Sequence, residues 1–268
     1  MKQSFKAALR WVLGVLGSAI LVSMACLGIS LRVHGQTIVN TETLLLPTDT
    51  GFIWTAGLGG NVSAGNSDVF DLKSDFGATK DWGATALKFV ASWNRLARNG
   101  TSIQSNAFAH LRVEQGRTDG IHVFGFVQTS NNDVLLMRSR QLAGIGLKRR
   151  IVQTDRANLA LSWGGFWENE AYSAELPDMR LWRNSFILAG AWNPNEAWSI
   201  RMTTYAQTDI YHWKDTRVYV ECSTDLSVTH RMALEWNVGL RWDGDPHAGL
   251  DPLDVGSTVG LRFGFSGN

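Results

Sequence analysis

Residues 54–265 of this chain repeat one pattern, in which every second residue is apolar for roughly ten residues before a polar turn follows. Within residues 217–227, for example, Val218 and Val220 fall on one face and Glu221 on the other. A β-strand points successive side chains to opposite sides, so each such segment has an apolar and a polar face. We count about twelve segments, most of them near the length that a tilted strand needs to cross a bilayer. The pattern predicts an all-β fold, a transmembrane antiparallel up-and-down β-barrel of about 12 strands.

The amino-acid composition limits the classes of protein to which this chain can belong. The 268 residues include 25 Lys and Arg and 24 Asp and Glu, a balance that argues against a nucleic-acid binder. A mean hydropathy of -0.09 resembles that of a soluble protein, but it does not argue against a membrane barrel. In such barrels polar interior residues alternate with lipid-facing ones, so the average is low. Beyond the first 35 residues, Cys222 is the only thiol, which excludes a disulfide scaffold. That part also lacks a run of about 18 apolar residues, so it could span a membrane only as a closed barrel.

The N-terminus resembles a secretory signal peptide. Basic residues precede an uncharged apolar run over residues 11–31, and a cleavage site is expected before Gln36. We therefore expect a signal peptide over 1–35, a polar leader over 36–51 and an outer-membrane β-barrel over 52–268. The apolar run is long for a signal peptide, so an uncleaved helical anchor is the alternative.

Connections and tryptophans suggest an orientation. If the first strand runs outward, the two longest predicted connections, residues 168–181 and 243–254, fall on the outside, as in outer-membrane barrels. Trp is enriched at membrane interfaces, where its apolar ring and its N–H both find partners. The pattern places these candidate interface anchors near the strand ends: Trp54, Trp82, Trp93, Trp167, Trp182, Trp192, Trp198 and Trp242.

The fifth segment is ambiguous, because Ile121, Val123 and Val127 compete with Phe124 and Phe126 for the outer face. This choice matters for function. Phe124 and Phe126 on the inner face would help to fill a narrow lumen, whereas on the outer face they would contact lipid.

Charged residues alternate along the polar faces. One interpretation is a pore lining that selects solutes by field and width. The other is a network of ion pairs that fills a narrow lumen, and the near-cancellation of signs favours it. The predicted lumen-lining residues are Asp71, Lys73, Asp75, Lys88, His110, Arg112, Glu114, Arg201, Glu221, Asp225, Glu235, Arg241 and Arg262.

Acidic side chains cluster in the two long predicted loops. Carboxylate oxygens are calcium ligands, although the spacing does not match an EF-hand, and a solvated acidic loop is the alternative. The first candidate set is Asp243, Asp245, Asp251 and Asp254; the neighbouring loop contributes Glu168, Glu170, Glu175 and Asp178. Besides a calcium site in the first loop alone, we consider the hypothesis that both loops together bind divalent cations at the lipopolysaccharide surface.

Two other classes compete with a membrane barrel. A lipid hydrolase in the outer membrane would need a Ser and a His within reach on the outer face, yet His110 and His122 fall on the inner face. The sequence also lacks a Gly-x-Ser-x-Gly elbow, so we expect no catalytic residue and no cofactor. A secreted β-sandwich that acts as a binding protein would explain the alternation but not two rims of Trp.

Three glycine-based stretches resemble one family. Residues 57–67 are similar to the glycine-rich strand and Gly-Asn-Ser turn that open the family called domain of unknown function 481. Residues 142–147 look like its Gly-x-Gly strand, and residues 259–265 resemble its aromatic closing strand. The resemblance implies a bacterial outer-membrane barrel, induced by salt stress in some members, and brings no catalytic residues. Unlike most substrates of the barrel-assembly machinery, this chain continues beyond Phe265 with three further residues.

The sequence thus predicts a structural barrel or a narrow passive pore in a bacterial outer membrane, linked to envelope or salt stress. Its expected partners are outer-membrane lipids, lipopolysaccharide and the barrel-assembly machinery. An open pore should have an unfilled, asymmetrically charged lumen. A structural barrel should have paired charges and inward aromatic side chains.

Overall fold

The structure is a computed structural model of one chain. The predicted signal peptide and the start of the leader lie outside the described residues. Within the described part of the chain, no helix is long and apolar enough to span a membrane. The structure describes residues 38–44, 51–64, 68–116, 120–172, 177–229, 232–246 and 251–263.

Within the described residues, twelve strands follow one short helix. The helix is α1 (Thr41–Leu44), and a 3-10 turn (Asp133–Leu135) lies between the fifth and sixth strands. The strands are β1 (Gly51–Ser63), β2 (Val69–Asp81), β3 (Thr85–Arg98), β4 (Thr101–Gln115), β5 (Ile121–Asn132), β6 (Met137–Gln153), β7 (Ala157–Tyr172), β8 (Met179–Asn195), β9 (Trp198–Asp209), β10 (Thr216–Thr229), β11 (Met232–Asp243) and β12 (Leu253–Phe263).

The strands form one antiparallel sheet in which every strand pairs with its neighbours in the chain, from β1 to β12. This topology confirms the prediction of an all-β, up-and-down arrangement of twelve strands. Short connections explain it, because antiparallel strands can be joined directly whereas parallel strands need a long crossover. β1 and β12 form the two edges, and among the described residues the sheet is not closed between them.

The sheet curves around the leader. Glu42 of α1 contacts Arg112 on β4, Lys148 on β6 and Tyr205 on β9. Neighbouring strands lie about 4.8 Å apart, so β4 and β9 would be about 24 Å apart in a flat sheet. Contact of one residue with both strands requires a concave face, and the leader lies against it.

Alternation distinguishes the two faces along each strand. On β5, Ile121 and Val127 are 56% and 53% exposed, whereas Phe124 is 5% exposed and lies on the concave face. The ambiguity of this segment is thereby resolved in favour of inward phenylalanines. The convex face carries many exposed apolar side chains, including Leu58 and Ile145, as a lipid-facing surface requires.

Several strands are longer than the sequence pattern predicts. β6 and β8 each have 17 residues and β7 has 16, against roughly ten expected for a tilted membrane strand. The predicted outer loop over residues 168–181 is therefore wrong for most of its length, because β7 continues to Tyr172 and β8 begins at Met179. The inward-facing polar residues of these extensions, such as Glu168 and Glu170, form ion pairs on the concave face.

Candidate functional site

The concave face carries two clusters of buried charge, one near each end of the strands. We call the end with the connections β2–β3, β4–β5, β6–β7 and β8–β9 the short-turn end, and the opposite end the loop end. The short-turn cluster comprises Glu42, Lys88, Arg112, Glu114 and Lys148. The loop-side cluster comprises Arg140, Glu168, Glu170, Arg183, Asp215 and Arg217.

In the short-turn cluster, one carboxylate of the leader is held by two cations. Glu42 Oε1 accepts from Arg112 Nη1 at 2.6 Å, and Glu42 Oε2 accepts from Lys148 Nζ at 3.0 Å. Glu114 pairs with Arg112 Nε at 2.9 Å and with Lys88 Nζ at 3.2 Å. Alternation on β3, β4 and β6 directs all four strand residues inward, so the sheet builds a clamp around Glu42.

Electrostatics in this clamp favour an ionised Glu42. Burial by itself would raise the pKa of its carboxyl, but the charges of Arg112 and Lys148 outweigh burial and hold the pKa at about 2. Arg112 is itself 2% exposed, and its guanidinium carbon lies 4.0 Å from the centre of the Phe124 ring. The Nη2 group of Arg112 has no hydrogen-bond partner among the described residues.

A second set of contacts fixes the leader to β9. The Tyr205 hydroxyl accepts from the backbone N–H of Glu42 at 3.2 Å and lies 3.3 Å from the Thr41 hydroxyl and from Asn40 Oδ1. Ile38 is 3% exposed and packs with Ile187, Tyr205 and Tyr219. The leader is therefore held by one apolar side chain, one tyrosine and one ion-paired carboxylate.

Aromatic rings separate the two charged clusters. Phe126 lies between His110, at 5.4 Å between ring centres, and Phe166, at 6.2 Å. Two glycines of β6 make room for these rings, because a Cβ on Gly144 would lie 2.7 Å from the Phe126 ring and one on Gly146 would lie 2.5 Å from the Phe124 ring. This layer, together with Ile38, fills the middle of the concave face.

The loop-side cluster is more deeply buried than the short-turn cluster. Glu168 and Glu170 are both fully buried on β7. Glu168 pairs with Arg140 at 2.5 Å and with Arg183 at 2.6 Å, and Glu170 pairs with Arg217 at 3.1 Å. These side chains satisfy one another across four strands, which is the arrangement that keeps buried charges from destabilising a fold.

A cavity of about 820 Å³ opens at the short-turn end, and we call it the vestibule. Glu42, Lys88, Glu114 and Lys148 line it together with the turns at Gly83 and Thr154, among others. A second cavity of only about 50 Å³ lies deeper, between the leader and the aromatic layer. The leader and the phenylalanines thus reduce a wide vestibule to a space for a few water molecules.

The structure brings some of the predicted lumen-lining residues together and separates others. Lys88, Arg112 and Glu114 form the short-turn cluster, and His110 lies beside them, hydrogen-bonded to Gln128 at 3.1 Å. Elsewhere on the concave face, Arg201 pairs with Asp225 at 2.6 Å and Lys73 pairs with Asp71 at 3.7 Å. Arg241 lies over the Tyr219 ring, and the Tyr219 hydroxyl donates to Glu221. Asp75 faces Gly57, Glu235 lies opposite Asp225 in register, and the side chain of Arg262 lies outside the described residues.

Most residues of the loop-side cluster, and the contacts of the leader, were not predicted from the sequence. The unassigned residues of the site are Glu42, Arg140, Lys148, Arg183, Asp215 and Arg217. Glu168 and Glu170 were assigned to an acidic outer loop, for which cation binding was a hypothesis. That assignment was wrong, because both glutamates lie on a strand and pair with arginines. Continued alternation from Ser162 to Tyr172 was the available signal.

The other acidic loop lies partly outside the described residues. Asp243 lies at the end of β11, 3.3 Å from Arg217, and Asp254 lies opposite Arg241 in register. In the part of the chain that the structure describes, no group of three His, Cys, Asp or Glu residues is arranged to hold a metal ion. A calcium site formed by Asp243, Asp245, Asp251 and Asp254 stays a prediction, which a calcium titration of the melting temperature tests.

Tryptophans lie near both ends of the convex face. Trp167 and Trp182 are directly opposite each other on β7 and β8 towards the loop end. At the short-turn end, Trp54 and Trp82 are each 60% exposed and Trp192 is 54% exposed. Trp198 is the first residue of β9 at the same end. Trp242 is the penultimate residue of β11, at the loop end, and Trp93 lies opposite Ala107 on β4.

The chain is thus an antiparallel all-β protein. Its twelve strands form an up-and-down sheet with an apolar convex face and a filled concave face. Residues 56–265 match the family described as "Protein of unknown function, DUF481", and the chain belongs to this family. The resemblance found in the sequence is thereby confirmed. Among curated proteins, none matches the chain.

Solved structures with related folds are distant. A NanC porin shares 12% identity over 80% of this chain and 99% of its own, with a TM-score of 0.43. The translocator domain of the autotransporter NalP from Neisseria meningitidis shares 12% over 94% and 98%, with a TM-score of 0.42. The β domain of the Bordetella autotransporter BrkA shares 9% over 80% and 98%, with a TM-score of 0.37. Likeness at this level supports no inference about the function of this chain.

Proposed function

We propose that this protein is a bacterial outer-membrane β-barrel. Two properties support the proposal: the convex face is rich in exposed apolar side chains, and exposed Trp side chains lie towards both of its ends. A soluble sandwich would instead cover its apolar faces with a second sheet. Export through a cleaved signal peptide belongs to the same proposal.

Membrane insertion requires the sheet to close. An open edge presents unpaired N–H and C=O groups, and lipid offers them no partner. We therefore propose that β1 and β12 pair in the membrane. Both strands already present apolar side chains on the convex face, as Leu58 and Val259 illustrate.

Within the membrane, we propose a barrel whose lumen is closed at rest, either as a structural barrel or as a pore too narrow for most solutes. The observation that carries this proposal is the position of the leader, with Glu42 clamped between Arg112 and Lys148 inside the concave face. Phe124 and Phe126, also on that face, add to the closure.

Conductance in a planar bilayer tests this closure. We expect the wild-type protein to give little or no current, and Glu42→Ala to give steady steps that grow with salt concentration. The control is Asp225→Asn, which removes a carboxylate from another ion pair of the concave face. Large steps from the wild-type protein, unchanged by Glu42→Ala, would show that the leader does not close the lumen.

The expected partners are outer-membrane lipids, lipopolysaccharide and the barrel-assembly machinery, and we propose no enzymatic activity. A link to salt stress rests on the family resemblance alone. Measuring transcript and protein levels at low and high external salt tests that link, and constant levels would remove it from the proposal.

A further inference from the structure

The vestibule carries an excess of positive charge around Glu42. Its lining includes Lys88, Lys148, Arg150 and Arg201 against Glu42, Asp81 and Glu114, four positive charges against three negative ones. One of those three carboxylates belongs to the leader rather than to the sheet. Arg201 is already paired with Asp225, so if the leader withdraws, Lys88, Lys148 and Arg150 face only two carboxylates, an excess of one positive charge.

The clamp around Glu42 has the geometry of an oxyanion site. A guanidinium and an ammonium each contact one oxygen of the same carboxylate, at 2.6 and 3.0 Å. Charge-assisted bonds of this kind are the usual means by which proteins bind carboxylates and phosphates. Arg112 also keeps its Nη2 amino group without an acceptor among the described residues, although its side chain is 2% exposed. A ligand with more oxygens than Glu42 could therefore use a donor that Glu42 leaves unused.

The clamp is accessible on its Lys148 side, because Lys148 and Glu42 both line the vestibule of about 820 Å³, whereas Arg112 lines the inner cavity of about 50 Å³. A cavity of that size accommodates a small organic anion. Besides the clamp, the described part of the leader contacts the concave face through Ile38 and the Tyr205 hydroxyl, among others. An anion arriving from the short-turn end therefore competes with the Glu42 carboxylate for the two cations.

We propose that Arg112 and Lys148 form a binding site for a soluble oxyanion, of which a carboxylate is the preferred class, and that Glu42 occupies this site in the absence of ligand. Binding of the anion displaces the leader and opens the lumen. The inference rests on the proposed closure of the lumen by the leader and adds the chemistry that relieves it. Affinity for the anion is reduced by the competing Glu42, since only the fraction of molecules with a free clamp can bind.

Isothermal titration of the full-length protein in detergent tests this site, with sodium citrate and sodium phosphate as probes at matched ionic strength. We expect citrate to bind Glu42→Gln at least about tenfold more tightly than wild type, because the internal competitor is removed. Lys148→Gln should lose most of the binding; it replaces a side chain that is 18% exposed and is the safer test should Arg112→Gln fail to fold. Glu196→Gln, which removes an exposed carboxylate of the β8–β9 turn, should bind like wild type.

The two probes distinguish the sources of the oxyanion. Binding of citrate alone supports a carboxylate site, and equal binding of phosphate supports a general oxyanion site at the same clamp. Citrate affinity that is the same in wild type, Glu42→Gln and Lys148→Gln would overturn the inference. If Glu42→Gln conducts but binds no citrate, the proposed oxyanion site is wrong, whereas closure of the lumen by the leader is supported. If Glu42→Gln binds citrate more tightly but gives no current, the proposed closure by the leader is wrong.

Discussion

Arg112 Nη1 lies 2.6 Å from Glu42 Oε1, although 70 residues separate the two in the chain. This ion pair joins the leader to the middle of the sheet and leaves neither charge buried alone. Removing one member of such a pair is costly because the other stays buried without a partner. The leader therefore gains its position from electrostatics as well as from the packing of Ile38.

The ionisation of Glu42 should make closure sensitive to acid. Its pKa is about 2 in the folded state and 4.5 when unperturbed, so its contribution to leader binding is fully present above about pH 4.5. That contribution is lost as the pH falls from 4.5 towards 2, because the carboxyl gains a proton. We expect conductance of the wild-type protein to stay low from pH 7 to pH 5 and to rise below pH 4.

The matched control for this pH dependence is Glu42→Gln, which resembles the protonated side chain. It should conduct at pH 7, and its conductance should not rise further in acid. A similar acid-induced rise in both proteins would assign the effect to other carboxyl groups of the lumen and contradict a role for Glu42.

Glu168→Gln should strongly destabilise the fold. Glu168 is fully buried and contacts both Arg140 and Arg183, so the neutral amide removes the carboxylate that these two guanidinium groups share; only Glu170 and Asp215 remain as their counter-charges. We expect a loss of about 3–5 kcal/mol in the free energy of unfolding, the usual result of breaking a buried pair. Urea unfolding in lipid vesicles, followed by Trp fluorescence, measures it.

Glu196→Gln is the control for that experiment, because Glu196 is an exposed carboxylate in the β8–β9 turn. Its effect should stay within about 0.5 kcal/mol. Equal unfolding midpoints for both variants would show that the loop-side cluster does not stabilise the fold.

Local pattern was sufficient to predict the strands, whereas the site depends on contacts between distant residues. Alternation around Val218 or Leu111 depends only on side-chain direction, so the order and faces of the strands could be predicted. Glu42 lies 106 residues from Lys148, and no local pattern marks such a partner. Glu168 and Glu170 were assigned to a loop because charge usually indicates solvent; their arginine partners lie on three other strands.

A charge on the middle of the convex face should distinguish a membrane barrel from a soluble protein. Trp163 is 58% exposed and lies between Leu147 and Phe186 in register, far from both ends of β7. In lipid, Trp163→Arg should cost about 2–4 kcal/mol of unfolding free energy. The comparison variant is Trp213→Arg, because Trp213 lies in the β9–β10 connection and is 77% exposed. It should lower the unfolding free energy by less than about 1 kcal/mol. Equal effects in urea titrations from vesicles would indicate that Trp163 faces water.

The phenylalanine layer depends on space that glycines leave on β6. A Cβ at Gly144 would lie 2.6 Å from the Cβ of Phe166 and 2.8 Å from the backbone oxygen of Gly165. Because backbone cannot yield as a flexible side chain does, Gly144→Ala should destabilise the fold by about 1–3 kcal/mol. Gly239→Ala is the control, since a Cβ there meets nothing within 4 Å and an alanine should be neutral or slightly stabilising. If the two variants unfold at the same urea concentration, the rings do not pack against β6 as described, and closure of the lumen would rest on the leader alone.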